Sequence, residues 1–412
     1  MNFIANAVIG QSGGPTAAIN ATLAGVIRGL KKNEKINTIF GMKNGIEGFL
    51  EEKMVNLSEL DEEDLSLLSV TPAAALGSCR KKLPQPEDDP TFFKNLFSLF
   101  RKYDIRYFFY IGGNDSMDTV DKLSRYAKTT DGQSWPMKFM GVPKTIDNDL
   151  ACTDHTPGYG SAAKYVATTM QEIACDCAVY TIKAVTLVEV MGRDAGWLTA
   201  AAGLPRLSGQ PTADLIYLPE SVFDYDEFLA SVQKCLNKKP NVVVALSEGI
   251  RDKDGKYVGE GGQSGAIDIF GHKYLAGAAR VLESLIREKI GCKVRAVELS
   301  LPQRCAGHCL SGCDIEESLL IGNEAAILAE KAEPGEGNIA VLKRKPEEKY
   351  QIAVEAAKVS LVANKVSNVE RKWINAEGNN VTDELLYYLL PLIQGEVEIP
   401  KKNGLPRHYT FI

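Results

Sequence analysis

Four short stretches of this chain gather residue types that a simple turn does not need. The densest is MGVPKTIDNDL, Met140 to Leu150, where an apolar run ends at Pro143 and Lys144, Thr145, Ile146, Asp147 and Asp149 follow at once. A cation, a hydroxyl and two carboxylates packed this closely can hold a transferring phosphoryl group, a metal and an acceptor hydroxyl together. FFYIGGNDSMDT sets Gly112, Gly113, Asn114, Asp115 and Ser116 directly after another apolar run. Two glycines followed by an amide, a carboxylate and a hydroxyl form a second concentration of polar ligands. In VEVMGRDAG, a buried run ends at Met191, Gly192 and Arg193, and an arginine fork there suits bidentate phosphate recognition. The fourth stretch is GQSGGPTAAIN, Gly10 to Asn20. Its glycines let backbone approach a ligand, and the helix that follows points free amides at it. A glycine turn before a helix also serves packing alone, and this loop by itself does not separate the two readings. It is not a GxxxxGK[ST] phosphate loop.

Other stretches carry less. PGYGSAAKY has a dinucleotide-like glycine spacing, but Pro157 and the polar DHT precede it where that fingerprint requires a strand. Cys305, Cys309 and Cys313 recur every four residues with His308 among them. That is not the spacing of common zinc sites, so they are read as small buried cysteines, as are Cys175 and Cys177.

The loops need elements to position them. Apolar runs that read as buried parallel strands occur at Asn6 to Ile9, Tyr107 to Ile111, Lys138 to Val142, Ala184 to Val190, Asp214 to Leu218, Val242 to Leu246 and Arg295 to Leu299. Helical patterns lie between them, at Ala17 to Lys31, Asp118 to Lys128, Ala162 to Asp176, Gly196 to Gly203, Tyr225 to Lys234 and His272 to Lys289. This alternation indicates an α/β protein with two doubly wound, Rossmann-like domains and parallel sheets in its first 300 or so residues. Ligands then belong at the carboxyl ends of the strands, where all four loops fall. Pro84 to Pro90 and Ala332 to Gly337 read as surface loops, and the acidic run Leu60 to Asp64 as a solvated helix start. After Asn338 the pattern turns helical again, which predicts a mainly helical C-terminal extension.

Composition narrows the classes. Hydrophobic residues make up 45% and charged residues 24% of the 412, the balance of an ordinary folded protein of two to three domains. The formal charge of −6 gives no general attraction to nucleic acid or an anionic membrane, so an anionic ligand needs a local cluster of donors. The apolar run Leu385 to Ile393 is far too short to cross a bilayer. The N-terminus shows no leader, and nine cysteines, an odd number, suit reduced thiols. These features predict a cytoplasmic protein.

Taken in order, GGP, LGSCR (Leu76 to Arg80), GGNDS, PKTIDND, PGYGSA, EVMGR, SEG (Ser247 to Gly249) and PQR (Pro302 to Arg304) resemble the phosphofructokinase A family over roughly residues 6 to 310. The chain is most similar to the branch that uses inorganic pyrophosphate rather than ATP. The resemblance implies phosphoryl transfer from pyrophosphate to the 1-hydroxyl of fructose 6-phosphate, a glycolytic step that can run in either direction. It implies that Asp147 takes the hydroxyl proton, with Lys144 and Asp115 beside it. It places the sugar phosphate near Thr145, Ile146, Asp149, Met191, Gly192, Arg193, Glu248, Arg295, Leu301 and Arg304. It places the donor near Gly13, Arg80, Gly113 and Ser116, with Mg2+ as cofactor at Asn114. It also implies a donor domain over 1–150 with about 303–370 packing on it, a sugar domain over 151–302 and an extension over 371–412.

Three departures from ATP-using relatives stand out. Asn114 replaces a magnesium-binding aspartate, so the metal is expected to rest more on phosphate oxygens, water and Asp149. Asp115 and Lys144 replace glycines, which favours pyrophosphate over ATP. Ala184, next to Lys183, and Leu301 stand where members that share a sugar site between subunits have arginine and histidine. The expected assembly is therefore a homo-oligomer, a dimer in preference to an effector-controlled tetramer. A non-catalytic subunit of the same fold is disfavoured, because Asp147 and Arg193 are both present.

Overall fold

The computed structural model describes residues 4–262, 277–347 and 349–411. Its strands are β1 (Ala5–Gln11), β2 (Ile36–Met42), β3 (Met54–Asn56), β4 (Ile105–Gly112), β5 (Lys138–Pro143), β6 (Ala184–Val190), β7 (Leu215–Tyr217), β8 (Asn241–Ser247), β9 (Lys293–Glu298), β10 (Gly337–Arg344) and β11 (Ile352–Lys358). They form a seven-stranded sheet ordered β11-β10-β5-β4-β1-β2-β3 and a four-stranded sheet ordered β7-β8-β6-β9. A two-stranded ribbon, Lys401–Lys402 with Leu405–Pro406, stands apart. The smaller sheet is parallel throughout. In the larger one only the outer pairs β2–β3 and β10–β11 run antiparallel.

The apolar strands behave as parallel strands covered on both faces must. In IRYFFYIG of β4 every residue except Arg106 is buried. All seven strands expected from the sequence are present, and the chain is α/β with two domains. The helices agree at their centres and differ at their ends. The one expected from Asp118 begins at Asn114, and Gly196 to Gly203 is a short α-helix running into a 3-10 helix that contains Pro205. The His272 end of the last one lies outside the described residues, where the helix is Ala278–Lys289.

The region after Asn338 differs more. Instead of helix it supplies β10 and β11, which extend the first sheet. Ala, Glu and Lys in IAVEAAK favour a helix, yet pairing with β10 over its whole length holds β11 as an edge strand. The extension is also less helical than expected. It holds one helix, Asp383–Leu389, and short 3-10 turns, because Pro391, Gly395, Pro400 and Gly404 interrupt any longer one. Leu385, Leu386, Leu389 and Leu392 join the core beneath the second sheet, whereas Tyr409 and Phe411 return to the first domain.

Helix Gly312–Lys331 packs along helix Ile19–Lys31, directly behind the first glycine loop. The backbones touch. A Cβ added at Gly25 would fall inside the Leu319 carbonyl oxygen, and one at Gly322 inside that of Thr22. Because these obstacles are backbone, Gly322→Ala should cost about 1–3 kcal/mol of unfolding free energy by overpacking. Urea denaturation measures this, and a variant as stable as the parent would show that the helices have room to part.

Candidate active site

The four polar loops leave the carboxyl ends of β1, β4, β5 and β6 and meet at one cleft of about 450 Å³. Glu248, after β8, and Arg304, after β9, complete it. Gly13 sits at φ +77°, and its missing side chain leaves room for Lys144, whose Nζ lies 3.3 Å from where a Cβ would stand. Lys144 is 2% exposed and donates to the Gly14 carbonyl at 2.7 Å. Burial pulls its pKa down to about 8, against the opposing pull of Asp147 and Asp149. It is still mostly protonated at neutral pH.

Asp147 lies deep in the protein with one side open to the cleft, and its own N–H donates to Thr145 Oγ1 at 3.2 Å. Desolvation raises its pKa, with Lys144 and Arg193 pulling the other way. Asp149 is raised to about 7 by burial and by the charge of Asp147. Burial likewise raises Glu248 to about 7, although Gly192 N–H donates to its Oε1 at 3.3 Å. Cations face these carboxylates. The Arg193 Nε is buried without a hydrogen-bond partner among the described residues. The Arg304 Nη1 lies 3.7 Å from where a Cβ on Gly14 would be, and burial followed by the nearby charge of Arg80 lowers the Arg304 pKa. Near Gly14 the cleft is therefore locally positive in a chain of net negative charge.

The loop after β5 is held by its own side chains. Asn148, in the left-handed region at φ 56°, accepts the Thr156 N–H at 2.9 Å, and Thr156 Oγ1 donates to the Thr145 carbonyl at 2.7 Å. Beside them His155 is 3% exposed. Its Nδ1 lies 2.9 Å from Asp154 Oδ2 and its Nε2 2.6 Å from Glu317 Oε2. Arg344 also donates to Asp154, at 3.1 Å, and Tyr350 to Glu317, at 2.7 Å. These bonds fasten the loop to helix Gly312–Lys331 and to β10. At PGYGSA, Asp314 accepts the N–H groups of Gly158 and Ser161 at 2.8 and 2.9 Å. That helix start is capped by protein, which is the physical reason it is no dinucleotide site.

All the residues expected at the site line the cleft except three. Gly192 stands behind it, at φ 132°, where it donates to Glu248. Leu301 is 53% exposed outside it. Arg295 lies in mid-strand on β9, three residues before the end that faces the cleft, and pairs weakly with Asp176 at 3.9 Å. It borders a separate small hollow with Lys293, Tyr180 and Ala184. The cysteine expectation is also corrected. Cys175 and Cys305 are exposed, Cys177, Cys309 and Cys313 half-buried, and the last three of the chain's cysteines are split between two helices and the loop joining them. Sequence reasoning missed Thr16, Asp194, Asn364 and Val366, which also line the cleft. The first two adjoin recognised motifs. The other two arrive from a distant segment without a local signal.

Residues 6–311 match the family model described as Phosphofructokinase. The chain belongs to the phosphofructokinase family. Two curated relatives of this phosphofructokinase carry the name pyrophosphate–fructose 6-phosphate 1-phosphotransferase. The protein from Halomonas elongata is 39% identical over 98% of this chain and 95% of its own, and that from Methylococcus capsulatus 37% identical over 98% and 96%. Among solved structures, the pyrophosphate-dependent phosphofructokinase from Nitrosospira multiformis aligns with a TM-score of 0.87 at 36% identity, covering 98% of this chain and 96% of that one.

The buried imidazole gives this phosphofructokinase a stability that depends on pH. Burial alone would lower the His155 pKa, but the bonds and charges of Asp154 and Glu317 outweigh it and raise it from 6.5 to about 9. A raised value means the folded state binds the proton more tightly. The contribution is complete below about pH 6.5 and is lost as pH rises to about 9, a change of about 3 kcal/mol. The thermal midpoint should fall across that window, and His155→Gln should flatten the fall; parallel profiles would remove His155 as its source.

Proposed function

We propose that this chain transfers a phosphoryl group from pyrophosphate to the 1-hydroxyl of fructose 6-phosphate, giving fructose 1,6-bisphosphate and phosphate, reversibly. The observation that carries the reading is the single cleft that brings Lys144 and Asp147 together with the glycine loop, Arg80, Arg193 and Glu248. Arg193 and Arg304 hold sugar phosphate through charge-assisted bonds. Asp147 takes the proton as the hydroxyl oxygen bonds to phosphorus, and the bridging oxygen leaves with its electron pair on phosphate. Lys144 offsets the charge on the group in flight and on the departing phosphate. Asp115 fills the donor end and sets a negative charge where a nucleotide's α-phosphate would lie.

Magnesium, when bound, neutralises charge on the pyrophosphate oxygens. Asn114 and Asp149 would hold it. Asn114 Oδ1 is buried with no partner among the described residues, and no group of three His, Cys, Asp or Glu there is placed to hold a metal unaided. Such a sparse set suits an ion that shares its shell with substrate phosphate and water. We read the protein as a cytoplasmic homodimer; among the described residues, no helix is long and apolar enough to span a membrane. The exposed apolar residues Val179, Tyr180 and Ile182, beside Arg295, offer a surface for a second copy.

Asp147→Ser should lower kcat by about 10² to 10⁴ while fructose 6-phosphate affinity stays within a few-fold; a variant keeping more than about a tenth of parental turnover would remove Asp147 as base. The parent should use pyrophosphate at least about a hundredfold better than ATP by kcat/KM, the scale of one like-charge clash. Asp115→Gly should lose pyrophosphate activity and ease nucleotide entry. A coupled assay with both donors decides this, and efficient ATP use by the parent would sink the donor assignment.

A further inference from the structure

After β11 the chain makes a 3-10 turn, Val359–Leu361, and then runs along the cleft wall. Residues 364–368 of this run touch three of the four site loops. At one end Asn364, held in the left-handed region at φ 60°, donates from Nδ2 to Asp118 Oδ1 at 3.0 Å. Asp118 is itself fixed by the buried Lys122, 2.6 Å away. The Lys365 carbonyl then accepts the Asn114 Nδ2 at 2.6 Å. In the middle, Val366 bridges to Leu150 and the Ser367 N–H donates to the Asp149 carbonyl at 2.7 Å. At the far end the Ser367 carbonyl accepts Trp197 Nε1 at 2.9 Å, and Asn368 donates to the Asp194 carbonyl.

We infer that residues 364–368 form a positioning strap that sets Asn114 and Asp149 for the transfer, and that the Lys365 carbonyl is why position 114 carries an amide. A backbone carbonyl accepts and cannot donate. Only the Nδ2 of Asn114 can face it, so the amide orientation is fixed and Oδ1 is turned away. That oxygen is buried and has no partner among the described residues, which leaves it available to a cation or a phosphate's counter-ion. An aspartate here would place two acceptors against each other. It would be repelled by the strap, and the strap in turn holds the Asp149 backbone. On this view the charge missing at position 114 is a requirement of the tie to the strap and not a lost metal ligand. The inference rests on the reading that this cleft transfers a phosphoryl group to the sugar.

Three variants and two kinds of readout test it. In protein free of metal and substrate, Asn114→Asp should unfold about 2–4 °C below Asn114→Ala, because alanine loses the bond whereas aspartate adds a repulsion. Equal midpoints, or a more stable aspartate, would overturn the assignment. Asn364→Gly allows the same left-handed backbone and removes the bond to Asp118 together with the amide in the cleft wall. It should raise the pyrophosphate KM by about fivefold or more while the fructose 6-phosphate KM stays within about twofold. If it shifts the midpoint and leaves both KM values alone, the segment is a structural tie only, and the inference fails. A parent without pyrophosphate turnover would instead overturn the function while leaving the metal-free comparison intact.

Discussion

Lys144 is buried against the Gly14 carbonyl with the carboxyls of Asp147 and Asp149 near it, and Glu248 lines the same cleft. Burial raises the proton affinity of all three carboxyls, although Lys144 and Arg193 pull the other way at Asp147 and Arg193 does so at Glu248. That shared desolvation is the constraint the cleft is built around. It makes Asp147 a better proton acceptor than an exposed aspartate. Phosphate groups entering the cleft meet Arg80, Arg193 and Arg304 as well as Lys144.

The fold serves this arrangement by making the loops rigid where ligands are not. Gly13 and Gly192 adopt conformations that favour glycine, and each lets another chain segment close on the cleft. The loop carrying Asp147 is closed on itself by Asn148 and Thr156 and is anchored behind by His155 between two carboxylates. Such a buried ionic cluster is weak evidence for net stability, but it fixes one geometry at the cost of others. Here the geometry fixed is that of the loop that carries Asp147.

How much of this was legible in the sequence depended on how local each signal was. The parallel strands are apolar along their whole length because both faces are covered, and so they could be read without any partner. The site loops were legible because each packs its chemistry into a few consecutive residues. β10 and β11 were not, since IAVEAAK prefers a helix in isolation and becomes a strand only through its neighbour. Asn364 and Val366 are set in the cleft wall by bonds to residues more than two hundred positions away. His155 carried no motif, and its role exists only because Glu317 and Arg344 arrive beside Asp154. Arg295 lies three residues short of the end of β9 that faces this chain's cleft, a placement the motif resemblance did not carry.

The route of the C-terminal third has a consequence for how the protein is made. β10 completes pairing at β5, helix Gly312–Lys331 covers helix Ile19–Lys31, the leucines of 385–392 fill the second core, and Tyr409 reaches back to Thr71. One face of each sheet cannot be fully buried until these residues have left the ribosome. Domains of a growing chain often settle one after another from the N-terminus. In this molecule one face of each sheet waits for residues 312–392, so the growing chain carries uncovered apolar surface until they emerge.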